Sequence, residues 1–416
     1  MPGAGIRPGI MNDRPRLLDV TRLVSRIGRG PLTGVDRVEA AYLAWLGPRP
    51  DTRLLCRTPY GFLLLPGAAG GALRHWLTAP ETLPSPDLLD RLRRRTGPQA
   101  RAEAGLRRLA EARGPHRSLG RMVAQALPTG GSYLNLGHSN LTGATLGALA
   151  GVPGLTVAVM IHDTIPLDHP EFCREGGSVR FAAKLAAVFA HANLILCNSA
   201  ATRADVFRHA GAGRRPACAV AHLGIDLPQP DPAALPPWLD LTRPWFVCLG
   251  TIEPRKNHAL LLDAWDHIAR RWPEAQVPQL MIVGRRGWRN AETFARLDVR
   301  PQGVVELPGL PDGAVAALLA GARGLLMPSH AEGFGLPMLE AAALGVPVLA
   351  TPTPAAHEVM GQAARFLPPD DPGAWAEAIM ALAGAERGAM ASVVGYFQGP
   401  AIPSWTDHFN IVLRLV

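Results

Sequence analysis

The run Ser329–Gly345, SHAEGFGLPMLEAAALG, carries the most local information in the chain. An apolar segment, Gly324–Pro328, precedes it and a second, Pro347–Ala350, follows. Both read as buried strands, with a glycine-bearing loop and a short helix between them. Gly333 and Gly335 let the backbone turn tightly and approach a ligand. Pro337 suits the first helical position, where its missing N–H costs nothing. The free N–H groups and positive dipole end of such a helix suit a phosphate. Glu332 on the loop and Glu340, about one turn into the helix, flank the turn with carboxylates.

Strand–helix alternation extends outward from this unit. Downstream of residue 240 the expected strands are Trp245–Gly250, Gln279–Gly284, Val304–Leu307 and Arg365–Leu367, with helices at His258–Trp272, Asp312–Gly321 and Ala374–Ala383. Upstream, Arg16–Thr21, Thr52–Leu65, Ser132–Gly137, Leu155–Ile161, Leu194–Cys197 and Ala217–Ala221 read as strands. Helices are expected from Thr33 onward, over most of Pro84–Leu127, at Asn140–Ala150, at Val179–Ala192 and at Ala200–Ala210. Such alternation predicts an α/β chain of doubly wound parallel sheets. Five prolines fall within Leu227–Pro237, a stiff linker. It divides the chain into a first domain, residues 1–230, and a second, residues 231–395, followed by a C-terminal segment, 396–416. Two such domains facing each other place ligands in a cleft at their strand ends.

Composition narrows the function classes. A chain of 416 residues with 48% hydrophobic content is long enough for two cores. No span approaches the roughly 20 apolar residues of a membrane helix. The opening MPGAGIRPGIMNDRPR lacks an apolar core of the kind signal peptides use, so a cytoplasmic location is expected. The five cysteines form no C-x-x-C pair and read as reduced core residues. The net charge is +8, and Asp87–Arg121 holds ten arginines against four acids, a local excess of 10 − 4 = +6. This stretch reads as a solvated helical face or as a surface for anionic lipid head groups or a phosphate-bearing acceptor. Nucleic acid is disfavoured, because no aromatics interleave with the cations.

Two further constellations carry chemistry. Gly250–Asn257, GTIEPRKN, follows a strand directly and sets Arg255 beside Lys256 ahead of a helix, an arrangement fit for a diphosphate. Lys256 is one of two lysines against 40 arginines, which favours a specific use for its compact charge; the alternative is an ordinary exposed pair. His162 and Asp163 end an apolar strand, where a histidine serves either the core or the cleft. Glu332 and Glu340 could form a glycosidase pair, but the cationic loop points to a phosphorylated donor instead. No D-x-D and no His/Cys cluster occurs, so no metal-held diphosphate is expected.

The segment Glu332–Glu340, EGFGLPMLE, resembles the Glu-x7-Glu signature of the retaining family-four glycosyltransferases, which have the GT-B fold. GTIEPRKN resembles their donor-diphosphate loop, and His162–Asp163 and Ser199–Asp205 are similar to their N-terminal landmarks. Thr33–Val38 resembles the first-helix opening of a bacterial subgroup linked to surface polysaccharide. The resemblance implies two Rossmann-like domains and a nucleotide-diphosphate-sugar donor, with GDP-mannose the guess drawn from the subgroup. It implies a glycan or lipid-linked acceptor, no cofactor and no metal.

Residue roles follow from the same match. Arg255 and Lys256 would hold the diphosphate, with Gly250 in the same loop. Glu332 would bind sugar hydroxyls, with backbone from Gly333, Phe334, Gly335 and Leu336. Glu340 would bind the ribose, and the base would lie near Val283, Gly284 and Leu310. His162 would line the reaction centre, with Gly34, Arg37 and Asp163 on the acceptor side. Glu386–Pro403 departs from the family pattern, whereas Ser404–Trp405 could open a helix that crosses back to the first domain. The arginine stretch Arg91–Arg121 is then expected to dock on the inner membrane. The competing readings are a catalytically silent binding protein of the same fold, a nucleic-acid binder, and an epimerase or phosphorylase.

Overall fold

The structure, a computed structural model, describes residues 14–386 and 402–416. Eight strands build the first sheet: β1 (Arg16–Asp19), β2 (Thr52–Thr58), β3 (Gly61–Pro66), β4 (Ala112–Gly114), β5 (Gly131–Asn135), β6 (Leu155–Ile161), β7 (Leu194–Cys197) and β8 (Ala217–Val220). Six build the second: β9 (Trp245–Leu249), β10 (Gln279–Val283), β11 (Val304–Leu307), β12 (Gly324–Met327), β13 (Val348–Ala350) and β14 (Ala364–Phe366). The central strands are continuous apolar runs, as in β6 (LTVAVMI) and β10 (QLMIV), because helices cover both faces of a parallel sheet.

The second sheet is parallel throughout, in the order β11-β10-β9-β12-β13-β14. The first runs β4-β3-β2-β1-β5-β6-β7-β8. Six of its strands are parallel, while β3 and β4 extend it antiparallel. The reason is local: only Pro59 and Tyr60 separate β2 from β3, too few for the crossover that a parallel partner needs. In each sheet the strand order reverses at one place, between β1 and β5 and between β9 and β12. Loops leaving the carboxyl ends of those strand pairs form the crevice where ligands settle in such folds.

The arginine-rich stretch is less uniformly helical than its sequence predicts. Helices Leu88–Leu92, Pro98–Leu109 and Leu119–Ala126 are interrupted by edge strand β4. Some of its cations are internal: Arg107 pairs with Asp87 (2.6 Å) and Asp90, and Arg95 with Asp90 and Glu103 (both 3.0 Å). Asp90 and Glu103 are buried, so these pairs brace the insertion rather than decorate it. Among the cysteines, Cys56, Cys197 and Cys248 are buried, while Cys173 and Cys218 are only half-buried.

Leu227–Pro237 runs without a strand, with one 3-10 turn at Pro232–Ala234. Residues 1–13 and 387–401 lie outside the described residues, and with them most of the divergent Glu386–Pro403 segment and of the opening MPGAGIRPGIMNDRPR. A final helix, Trp405–Val412, is capped by Ser404 and Asp407. It packs on the helix Gly34–Leu46: Phe409 stacks on Trp45 at 4.6 Å, and the Tyr42 hydroxyl donates to His408 Nε2 at 2.7 Å.

Candidate functional site

The reversal between β9 and β12 brings the two sequence motifs together. Gly250–Asn257 leaves the end of β9 and Pro328–Gly335 leaves the end of β12. Lys256 Nζ lies 2.6 Å from Glu332 Oε1, and Arg255 Nη1 lies 3.1 Å from Glu332 Oε2. Arg255 is fixed further by Glu253 (2.9 Å) and by the Ala331 carbonyl (2.7 Å). Burial alone would raise the Glu332 carboxyl, but Lys256 and Arg255 bring it down to about 2. Glu332 is therefore an anion held by two cations, both candidates to release it when a diphosphate arrives.

The helix after the turn spans Leu336–Ala343, so Pro337 occupies its second position rather than its first. Gly335 precedes it at φ +96°, a conformation that side chains with a Cβ rarely adopt. Gly333 is required for a different reason. A Cβ there would lie 2.1 Å from the His162 carbonyl oxygen, so this glycine allows the two sheets' loops to meet. Phe334 and Leu336 are buried beneath the turn.

The facing wall comes from β6 and β7. His162 ends β6, and its Nε2–H donates to the Leu136 carbonyl at 2.7 Å. Burial lowers its pKa to about 4, so the ring is neutral at pH 7 with Nδ1 as the free acceptor. Burial raises the neighbouring Asp163 carboxyl, opposed by Arg255 across the cleft. Ser199 caps the helix Ala200–Arg208 and also donates to the Gly333 carbonyl (2.9 Å), as does Thr202 (3.1 Å). Glu358, from the helix Pro354–Met360, accepts from the N–H groups of Ala200 (2.7 Å) and Ala201 (2.9 Å) and from His222.

Arg37 stands on the other side of the turn. Its Nη1 lies 2.5 Å from Glu340 Oε1, and Nη2 donates to the Asp226 carbonyl at 3.4 Å. Arg37 thus sits beside the carboxylate expected at the ribose, while Gly34 opens the same helix with empty space above its α-carbon. Val283 ends β10 and is buried, Gly284 packs against the Gly250 carbonyl, and Leu310 is half-buried. Among the described residues no group of three or more His, Cys, Asp or Glu side chains is placed to hold a metal ion. No described helix is long and apolar enough to cross a membrane.

Residues 243–384, the whole second sheet with its helices, match the family described as glycosyl transferases group 1. Over these residues the chain is similar to that family.

Several relatives are mannosyltransferases by name. The serotype-specific mannosyltransferase WbdA of Escherichia coli is 32% identical over 243 residues, 54% of this chain and 29% of that protein. The O-antigen chain mannosyltransferase RfbU of Salmonella typhimurium is 42% identical over 138 residues, 32% of this chain and 37% of that protein. The chain therefore spans less than a third of the first of these relatives. Among solved structures, a sucrose-phosphate synthase from Thermosynechococcus elongatus superimposes with TM-score 0.58 at 16% identity, covering 97% of this chain and 98% of that one. HepE of Anabaena, solved with UDP and glucose, gives 0.57 at 16%, covering 97% and 99%. Both have the GT-B architecture of two facing α/β domains, and this chain shares it.

The molecule also has cleft residues that its contiguous motifs do not announce. Glu358 lies outside every motif quoted above, on a short helix whose signals were only a Thr353 cap and Pro354. Arg285, directly after Gly284, donates to the Arg29 carbonyl at 3.0 Å and closes on the Gly28–Gly30 loop from across the cleft. Its position after a strand end mirrors that of the Arg255–Lys256 loop, which was the available signal.

Proposed function

We propose that the protein is a retaining, metal-independent glycosyltransferase that moves a hexose from a nucleotide-diphosphate sugar to a glycan or lipid-linked acceptor. The observation that carries this reading is the junction of Arg255, Lys256 and Glu332 at the second sheet's reversal, facing His162. In this proposal the diphosphate displaces Glu332 from the two cations, and Glu332 turns to the sugar hydroxyls. Arg255, Lys256 and the nearby helix N-terminus stabilise the charge that develops on the leaving diphosphate. That diphosphate takes the acceptor hydroxyl's proton on the face it departs from, which retains the anomeric configuration. Glu340 exchanges Arg37 for the ribose, while Val283, Gly284 and Leu310 border the base. Residues 231–395 hold the donor and the first domain, with Asp163, holds the acceptor.

The names of the relatives support mannose as the sugar and an O-antigen polysaccharide as the product; GDP-mannose as the donor and a place on the cytoplasmic side of the membrane complete the proposal. Docking to an anionic inner-membrane surface fits the insertion, where Leu88 and Leu92 are 77% and 83% exposed beside exposed Arg91, Arg93 and Arg94. Arg95 and Arg107 are excluded from this surface by their buried carboxylate partners. A thermal-shift panel of nucleotide sugars tests the donor assignment: a true donor raises the melting temperature by mass action. No response to any member of the panel refutes it.

A further inference from the structure

The first sheet has its own reversal, between β1 and β5, and a cavity of about 790 Å³ opens there. Its lining includes Thr21, Arg57, His138, Asn140, Arg180 and Lys184. Lys184 is the second of the chain's two lysines, and the donor turn makes no use of it. Its ammonium donates to the His138 carbonyl at 2.9 Å, and its charged neighbours, Arg22 and Arg180, are cations. The Arg57 guanidinium bonds the His116 ring (3.4 Å), and that of Arg180 the Glu175 carbonyl (3.1 Å). Neither arginine has a carboxylate partner among the described residues. Among the described residues the one carboxylate on the cavity wall, Glu103, is buried and already held by Arg95 and Gln99. Arg57 and Arg180 are exposed at the cavity and Lys184 is half-buried, and like charges gathered there repel one another unless an anion joins them.

The surrounding backbone is shaped for the same purpose. His138 and Asn140 adopt left-handed conformations, φ +57° and +60°, uncommon for residues with a Cβ. Asn140 Nδ2 fixes the loop to Asp19 (2.7 Å) and Thr21 (2.9 Å), and the His138 ring fixes it to the Met160 carbonyl. The helix Gly143–Ala150, capped by Thr142, turns its N-terminus to the cavity, adding a positive dipole end. The His138 ring lies 5.2 Å from the His162 ring, so the cavity adjoins the cleft wall that faces the donor turn.

We propose that this cavity binds a phosphate group on the acceptor, so that the acceptor is a phosphorylated molecule, either a monoester or a diphosphate-linked one. The word acceptor rests on the transferase reading; the anion site does not. Arg57 and Arg180 can each offer a planar pair of donors to phosphate oxygens, and Lys184 a point charge from below.

Titration of the full chain with inorganic phosphate and with pyrophosphate, followed by calorimetry, tests the site. Arg57→Gln with Arg180→Gln removes two exposed side chains and should weaken phosphate binding at least tenfold. Lys184→Gln, which keeps a donor for the His138 carbonyl, should weaken it as well. Lys256→Gln controls for anion binding at the donor loop and should leave a phosphate site whose affinity depends on Arg57 and Arg180. Tighter binding of pyrophosphate than phosphate assigns a diphosphate-linked acceptor, and the reverse order a monoester. Equal phosphate affinity in wild type and in the double arginine variant overturns the proposal. Nucleotide-sugar binding is titrated separately on the wild type. If it is absent while phosphate binding still follows Arg57 and Arg180, the donor reading fails and the anion site stands.

Discussion

The two strand-order reversals are built from the same fold element and are charged in opposite ways. Between β9 and β12, each cation already holds a carboxylate: Lys256 and Arg255 hold Glu332, and Arg37 holds Glu340. Between β1 and β5, Arg57, Arg180 and Lys184 share a cavity with one buried and committed carboxylate. The first arrangement is self-neutralised and stable when empty, and a ligand must exchange partners with it. The second has unmet positive charge and gains directly when an anion arrives. A site that swaps partners suits a substrate that must leave as a diphosphate. A site with standing charge suits one that is gripped and held.

Changes at the exchanging site should have the largest effects. Glu332→Ala should lower turnover by about a thousandfold, roughly 4 kcal/mol of transition-state stabilisation, with the circular dichroism spectrum unchanged. Gly333→Ala tests whether the site needs both sheets. Its Cβ would meet the His162 carbonyl, and kcat/KM should fall by roughly a hundredfold through misplacement of the loops. Wild-type kinetics in that variant would separate the turn from the facing wall.

Acid should act on that wall. The His162 pKa is lowered from 6.5 to about 4 by burial, so the unfolded chain binds the extra proton more readily than the folded one. Stability from this group is therefore full above about pH 6.5 and is lost as the pH falls toward 4. Between pH 7 and 5 this group's share of the loss should be about 2 kcal/mol, read in urea unfolding as a loss smaller by that amount in His162→Asn, because His138, His258 and His408 are lowered by burial as well. The smallest change expected is at the contact between the walls. Glu358→Gln removes a charge from the N-terminus of the helix Ala200–Arg208 and should cost about 1 kcal/mol, read as a shift of about 2 °C in melting temperature.

The contrast also explains what could be read in the sequence. Strands β6, β7 and β11 have the boundaries expected from sequence; β6 and β7 do so because buried parallel strands are continuous apolar runs with polar ends, whereas β11 is a half-buried edge strand, VVEL. Strand β4 and the helices Ala69–Thr78, Ala291–Asp298 and Pro354–Met360 were not anticipated. The first of these helices contains two glycines and the last is seven residues long, so neither has a strong period. The turn proposed to hold the donor stands out in the sequence because its groups are contiguous: Arg255 and Lys256 are neighbours, and Glu332 and Glu340 lie eight positions apart. The cavity at β1 and β5 was not. Arg57 and Arg180 are two of 40 arginines, and only the folded crossovers bring them to Lys184. Glu358 was hidden in the same way, since its partners Ala200, Ala201 and His222 are more than 130 positions away.

The central claim is that Arg255 and Lys256 receive a nucleotide-diphosphate sugar in exchange for Glu332. Calorimetric titration of wild type and Lys256→Ala with GDP-mannose tests it most directly. The account predicts saturable binding by the wild type and at least tenfold weaker binding by the variant, with both proteins folded. Equal affinity in the two would contradict it.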